Sequence, residues 1–226
     1  MEGFFKKKHH PFVTCAILFF VGIVFLIATG MWIVAATGIV SIPFFSRIAY
    51  TKPEPLREVS AGVPVETYIQ TSVTTELASR LQQGRGQLLD PSIEVTLPEN
   101  ALTASLQSFS EAYGDYVIDV AHSQVVVDED IGFEIFLPMR SSTQETAVKI
   151  QLMMIPEEGT ILLDVKDVWI GSLHVPDMLV SFLASAFLER NMQQISSEFR
   201  QYVNLQSVEY NNGSLTLIGE LSVEII

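Results

Sequence analysis

Beyond the first ten residues the chain carries two histidines, His122 and His174. Histidine is the side chain best suited to proton transfer near neutrality and to metal ligation. These two stand 52 positions apart, with no His/Cys/Asp cluster of metal-ligand spacing around either. Both are therefore expected to be satisfied structural or surface histidines. Asp128-Glu129-Asp130 begins like a calcium loop, but the next ligand position falls on Gly132, which offers no side-chain oxygen, so a solvated turn is expected. Gly84-Arg85-Gly86 lacks the third glycine of a dinucleotide loop and reads as a helix C-cap. The chain contains no G-x-S-x-G elbow, H-E-x-x-H pair or P-loop. Carboxylates are plentiful, yet no spacing selects a catalytic pair. Cys15 is the sole cysteine, which excludes a disulfide scaffold. It precedes most of an apolar run and reads as a small membrane-embedded hydrophobe, not a lipoprotein cysteine. The expectation is a protein with no catalytic residue, metal or cofactor, and no enzymatic activity.

The remaining chemistry is burial of apolar surface. Pro176 opens the longest helix of the soluble part, Asp177 to about Arg200. Its second half carries a narrow stripe (Leu188, Met192, Ile195, Phe199), whereas its first half is apolar nearly all round. Such a helix must be surrounded by its own sheet, a ligand or a membrane. Methionine and aromatic residues gather in and near it, and methionine adapts to varied apolar partners. Met153, Trp169, Met178, Phe182, Leu183 and Phe187 are the candidate ligand-binding residues. One reading makes them ordinary core; the other makes them the lining of a groove for an acyl chain.

The elements that position these residues divide sharply. The 226 residues have a formal net charge of −13 and are 48% hydrophobic; the mean hydropathy is +0.33 and the pI about 4.6. That acidity argues against nucleic-acid binding by charge, and the apolar content excludes global disorder. From Pro11 to Ser46 there is no charged side chain, a run of 36 residues. It suffices for one tilted membrane crossing, since about 20 apolar residues span a bilayer core. Residues 1–10 are read as a cytoplasmic tail because Lys6, Lys7 and Lys8 precede the run. Residues 11–46 are the transmembrane anchor, with Pro43 ending or kinking the helix and Trp32, Phe44, Phe45 and Tyr50 suited to the interface. A cleaved signal peptide is the rival reading, with Ala35-Ala36 as a small-residue site. Residues 47–64 form an extended linker with three prolines. Residues 65–226 form the extracytoplasmic domain. From residue 59 onward there are seven basic and 23 acidic side chains, a balance that favours solubility and repels anionic headgroups.

Within the domain, Val65, Ile69, Val73, Leu77 and Leu81 recur at helical spacing. Ile93, Val95 and Leu97 alternate as a strand. Thr96-Leu97-Pro98-Glu99 matches a capping box for a helix carrying Leu102, Leu106, Phe109 and Tyr113. An extended stretch from Tyr116 to Val127 is expected next, then strands around 131–137, 148–154 and 161–170. In the last of these the apolar phase flips after Lys166-Asp167, which predicts a bulge. Asn211-Asn212-Gly213 reads as the turn of a closing hairpin. The order predicts an α+β domain, a curved antiparallel sheet packed on a long helix.

Three segments carry a resemblance. Val95-Thr96-Leu97-Pro98-Glu99-Asn100-Ala101-Leu102 resembles the start of the second helix of YpmS-type envelope proteins. Val168-Trp169-Ile170-Gly171-Ser172-Leu173-His174-Val175-Pro176 resembles their glycine-to-proline strand end, and Val208 to Leu215 their final hairpin. LmeA-like proteins of the tubular lipid-binding (TULIP) superfamily have a similar layout. The leucine–asparagine pair usual in the second helix is Leu102-Thr103 here. The resemblance implies a single-pass envelope protein whose outward domain binds or chaperones an apolar ligand, with lipid acyl chains as the expected class. The alternative is a membrane-anchored interaction or scaffold module with a fully packed core and an envelope protein as partner.

Overall fold

A computed structural model describes residues 11–71, 92–113, 117–140, 142–157, 160–183 and 203–221. The apolar run forms helix α1, Pro11–Thr37. Residues Cys15–Thr37 are long and apolar enough to cross a membrane, a property that anchors and signal sequences share. The helix ends at Gly38 and does not continue to Pro43. Gly38 has φ +70°, the left-handed conformation that closes helices most cheaply at glycine. A short helix α2, Phe45–Ala49, follows. Residues 51–62 are neither helix nor strand and bend at 56–57, and residues 65–71 are helical (α3). The remainder of the helix expected to residue 81, and its C-cap at 84–86, lie outside the described residues.

The domain is α+β, as expected, and among the described residues its strands form two antiparallel sheets where one was expected. Strands β1 (Ser92–Pro98), β7 (Val203–Asn211) and β8 (Ser214–Leu221) form a three-stranded sheet in the order β1-β8-β7. Strands β2 (Gln124–Asp128), β3 (Gly132–Pro138), β4 (Ala147–Glu157), β5 (Thr160–Ile170) and β6 (Leu173–His174) form a five-stranded meander. The bulge lies where the apolar phase flips: Gln151 pairs with Asp167 but Leu152 pairs with Val165, so Lys166 is the extra residue. The stretch expected to run extended from Tyr116 is broken. Ile118 makes a lone bridge to Met139, and Val120–His122 form a 3-10 turn.

One face of the five-stranded sheet presents Val125, Val127, Phe133 and Leu152, which pack with Leu97 and Leu215 of the other sheet. Tyr210 ties the sheets further. Its ring meets Phe133 edge-on at 5.4 Å, and its hydroxyl accepts from Met154 N (2.5 Å) and donates to Met154 O (3.1 Å).

Helix α4, Glu99–Tyr113, fills the space beside β2, the sheet's edge strand. The capping box does not form. Thr96 belongs to β1 and meets Thr216 across the ladder at 3.1 Å, while the Glu99 carboxylate accepts from Val127 N and from Arg57. The edge of β2 is thereby covered. Thr103 Oγ1 accepts from Val125 N and donates to Val125 O, and Gly213 N donates to Val127 O. An uncovered edge would invite pairing with another chain. Thr103, the departure from the resembled motif, thus does a backbone's work on that edge.

Candidate functional site

A polar constellation surrounds the C-terminal turn of α1. A helix leaves its last four carbonyls without intrahelical partners; here Thr37 and Gly38 meet those of Val34 and Ala35, and the domain meets the last two. Ser172 N donates to Ala36 O at 2.9 Å, and Thr146 Oγ1 donates to Thr37 O at 2.6 Å. Thr143 N and Oγ1 both reach Ile39 O at 3.2 Å. Gly171, at φ +62°, lies so close that a Cβ there would stand 2.3 Å from Thr37 O. Any other residue would collide with the backbone of Ala36 and Thr37. Ala35 and Ala36 are buried.

The chain after α1 closes the same joint. The Tyr50 ring covers Gly38, and its hydroxyl donates to Gln144 O at 2.9 Å. Ser172 Oγ accepts from Thr51 N at 2.6 Å and donates to Thr51 O at 2.9 Å. Helix, post-helix turn and sheet end are therefore one fastened unit. Lys52 and Glu145 add an exposed pair at 2.5 Å. Their hydrogen bond raises the lysine pKa and lowers that of the carboxylate, but water screens such pairs strongly.

From this joint, residues 51–62 cross the outer face of the five-stranded sheet. Leu56 N donates to Glu134 Oε1 at 2.8 Å. Gln124 accepts from Val59 N and donates to Arg57 O, as a neighbouring strand would. Arg57 makes a two-pronged contact with Glu99, at 3.1 and 2.6 Å, and a further short bond to Val127 O. That contact with Glu99 holds the Arg57 guanidinium above its ordinary pKa.

The candidate ligand-binding residues are dispersed. Met153 and Trp169 lie on this outer face, facing away from the shared core. Met153 packs over Gly132, and Trp169 lies between Lys149, whose ammonium is 4.8 Å from the ring centre, and His174. Four residues along β4 separate Met153 from the Trp169 partner Lys149, about 13 Å at strand rise. Gln151, Asp167 and Glu134 occupy the space between, so the two apolar side chains do not share one lining. Met178 is the second residue of helix α5, described over Asp177–Leu183, which packs beside β5. Met178 is 82% exposed and Leu179 is exposed beside it, while Val180 is buried. Phe182 and Leu183 lie on α5, but their side chains, and Phe187 altogether, lie outside what is described.

Both histidines are exposed and paired with a carboxylate: His122 Nδ1 with Asp119 at 2.7 Å, and His174 Nε2 with Asp167 at 2.7 Å. Asp128 Oδ1 accepts from Asp130 N and Ile131 N, forming a closed turn. Among the described residues no group of His, Cys, Asp or Glu is arranged to hold a metal.

The fold and this joint define the class: an α+β domain of two antiparallel sheets, gripping the end of an apolar helix of membrane-spanning length. Protein-family models give no match to the chain, and neither do curated protein sequences. Sequence reasoning missed Thr146, Gly171, Ser172 and Tyr50 as a set. Each is unremarkable in its own segment, and their shared partner lies more than a hundred residues away for three of them.

Proposed function

We propose that this is a single-pass membrane protein whose extracytoplasmic domain, held at the bilayer surface, takes up a lipid acyl chain at the start of α5. The observation that carries this reading is Met178, 82% exposed, with Leu179 beside it on a helix that is apolar nearly all round. Met178 is six residues from Ser172, which grips α1, so it lies no more than about 25 Å from where the helix leaves the domain. An acyl chain entering there would gain about 0.8 kcal/mol for each buried CH₂. No covalent step is involved.

The grip on Ala36 O and Thr37 O supports retention of the helix over its removal as a signal sequence. Cleavage at the buried Ala35-Ala36 pair would remove the helix whose last turn orients Ala36 O and Thr37 O toward Ser172 and Thr146. Lys6, Lys7 and Lys8 ahead of the helix support a cytoplasmic N-terminus.

The test uses the full chain in phosphatidylcholine vesicles containing a lipid with a photoreactive acyl chain. Crosslinks are expected on the peptide bearing Met178 and Leu179, and should disappear in Met178→Asp/Leu179→Asp while those on Cys15–Thr37 persist. Crosslinks confined to Cys15–Thr37 in the unaltered chain would reject acyl-chain uptake.

The fastened joint favours a second reading, a scaffold that presents the domain to an envelope protein at fixed orientation. Crosslinking in cells should then recover one partner, and Gly171→Val, which breaks the joint, should reduce that recovery.

A further inference from the structure

We propose that residues 39–48 form a second membrane contact, an interfacial seat lying in the headgroup and upper acyl region of the bilayer that α1 crosses. This rests on the reading of α1 as a membrane anchor and adds a site on the domain side of it. The stretch contains Ile39, Val40, Ile42, Phe44, Phe45 and Ile48 and no acidic residue, in a chain whose following domain is strongly acidic. It does not extend away from the anchor. Ile42 and Ser46 exchange hydrogen bonds (Ser46 N to Ile42 O, Ile42 N to Ser46 Oγ, both 2.9 Å), and α2 packs against α1. The side chains of α2 thus sit beside the final turns of α1 instead of on the far side of the domain.

What that fold exposes is apolar. Phe44 is 70% and Ile48 is 60% exposed, with Ile39 and Val40 also open to the surroundings. Phe44 also has φ 75°, a conformation that bulky residues rarely adopt. Met31, Trp32, Ile33 and Val34 of the anchor's last turns are exposed as well, and α2 packs against that same helix, so the occupant that suits the anchor suits the strip beside it. Arg47 is exposed on α2, and Lys52, paired with Glu145, follows. Aromatic rings over an apolar strip with a basic fringe match the lipid–water boundary, where phosphates lie just outside the acyl chains. With the joint at Ala36, Thr37 and Tyr50 closed, this seat would fix both the height and the tilt of the domain.

The test uses the full chain in a Cys15→Ser background, with single cysteines carrying the environment-sensitive NBD fluorophore, in phosphatidylcholine–phosphatidylglycerol vesicles. Labels replace Phe44 or Ile48, with Leu26 in the anchor and Ser60 on the exposed segment as references. Lipid spin-labelled near the headgroup end of its acyl chain is expected to quench the labels at 44 and 48 several-fold more than that at 60. Where substitution at Phe44 disturbs the chain, Val40→Cys reports on the same strip with the same expected result. Quenching at 40, 44 and 48 equal to that at 60, with strong deep-chain quenching at 26, overturns the seat and leaves the anchor standing. Absence of deep-chain quenching at 26 overturns the anchor reading and the seat with it.

Discussion

Phe133 and Glu134 are consecutive residues of β3, and both are withdrawn from water, at 4% and 0% exposure. Phe133 faces the second sheet and is buried among Val127, Leu152, Leu215 and the Tyr210 ring. Glu134 faces the opposite way, where a strand residue ordinarily meets solvent. It is buried because residues 51–62, already fastened at the helix joint, pass over it. Leu56 N donates to it, with Lys149 Nζ at 3.6 Å and Gln151 Nε2 at 3.5 Å on its other oxygen. An apolar face is buried by any surface that excludes water. A buried carboxylate is tolerable only when its partners are positioned in advance. The first face therefore needs a partner of suitable shape, and the second needs one specific strap.

The largest expected effect breaks the inner face. Phe133→Ala should lower the unfolding free energy by about 3–5 kcal/mol, lost transfer energy and cavity together, and denaturant titration measures it. The whole domain should respond, because the residue joins both sheets.

A smaller effect tests the strap. Glu134→Ala leaves the Leu56 amide without its acceptor, for a loss of about 1–3 kcal/mol. Glu134→Gln, which keeps a carbonyl oxygen, should lose less. The distinguishing readout is limited proteolysis of residues 51–62, which should accelerate in Glu134→Ala before global unfolding. If the segment stays as protected as in the unaltered chain, Glu134 does not hold it, and the contrast between the faces fails.

Tyr210→Phe should cost about 1 kcal/mol for its hydrogen bonds to Met154. Its pH dependence is distinctive. Burial raises the phenol pKa above 10.0, an effect the bond to Met154 partly offsets. A group whose folded pKa is raised contributes stability that is complete below the unfolded value and is lost as pH rises through the folded one. The unaltered protein should therefore lose stability above about pH 10, and the decline should be shallower in Tyr210→Phe. Parallel decline in the two would show that Tyr210 does not sense the buried environment.

The smallest effect is at the exposed Lys52–Glu145 pair. Glu145→Gln should leave the melting temperature unchanged, because exposed ion pairs contribute little. A measurable drop would mean that the joint depends on charge more than on the Ser172 and Thr146 hydrogen bonds.

Much of this architecture was legible in the sequence because it repeats locally. The uncharged run gave α1, alternation gave β3, β4, β5 and the closing hairpin, and the phase flip marked the bulge at Lys166. The same local logic misread Thr96 as a cap, because a Thr-x-x-Glu spacing does not reveal that Thr96 already has a partner in Thr216. It also placed the helix end at Pro43, where the weaker signal of a nearby glycine decided the matter at Gly38.

The candidate site was legible only as composition. Methionine and aromatic content pointed to Met153, Trp169 and Met178 together, but which face each takes, and what lies between, follows from register. Amino-acid order by itself determined the membrane-length helix, the acidic domain and the strand periodicities, since hydropathy and spacing act between near neighbours. Tertiary structure alone decided that the helix is gripped by Thr146, Gly171 and Ser172, and that Glu134 is covered. Those contacts join residues some 80 to 140 positions apart, and no periodic pattern records a meeting over that distance.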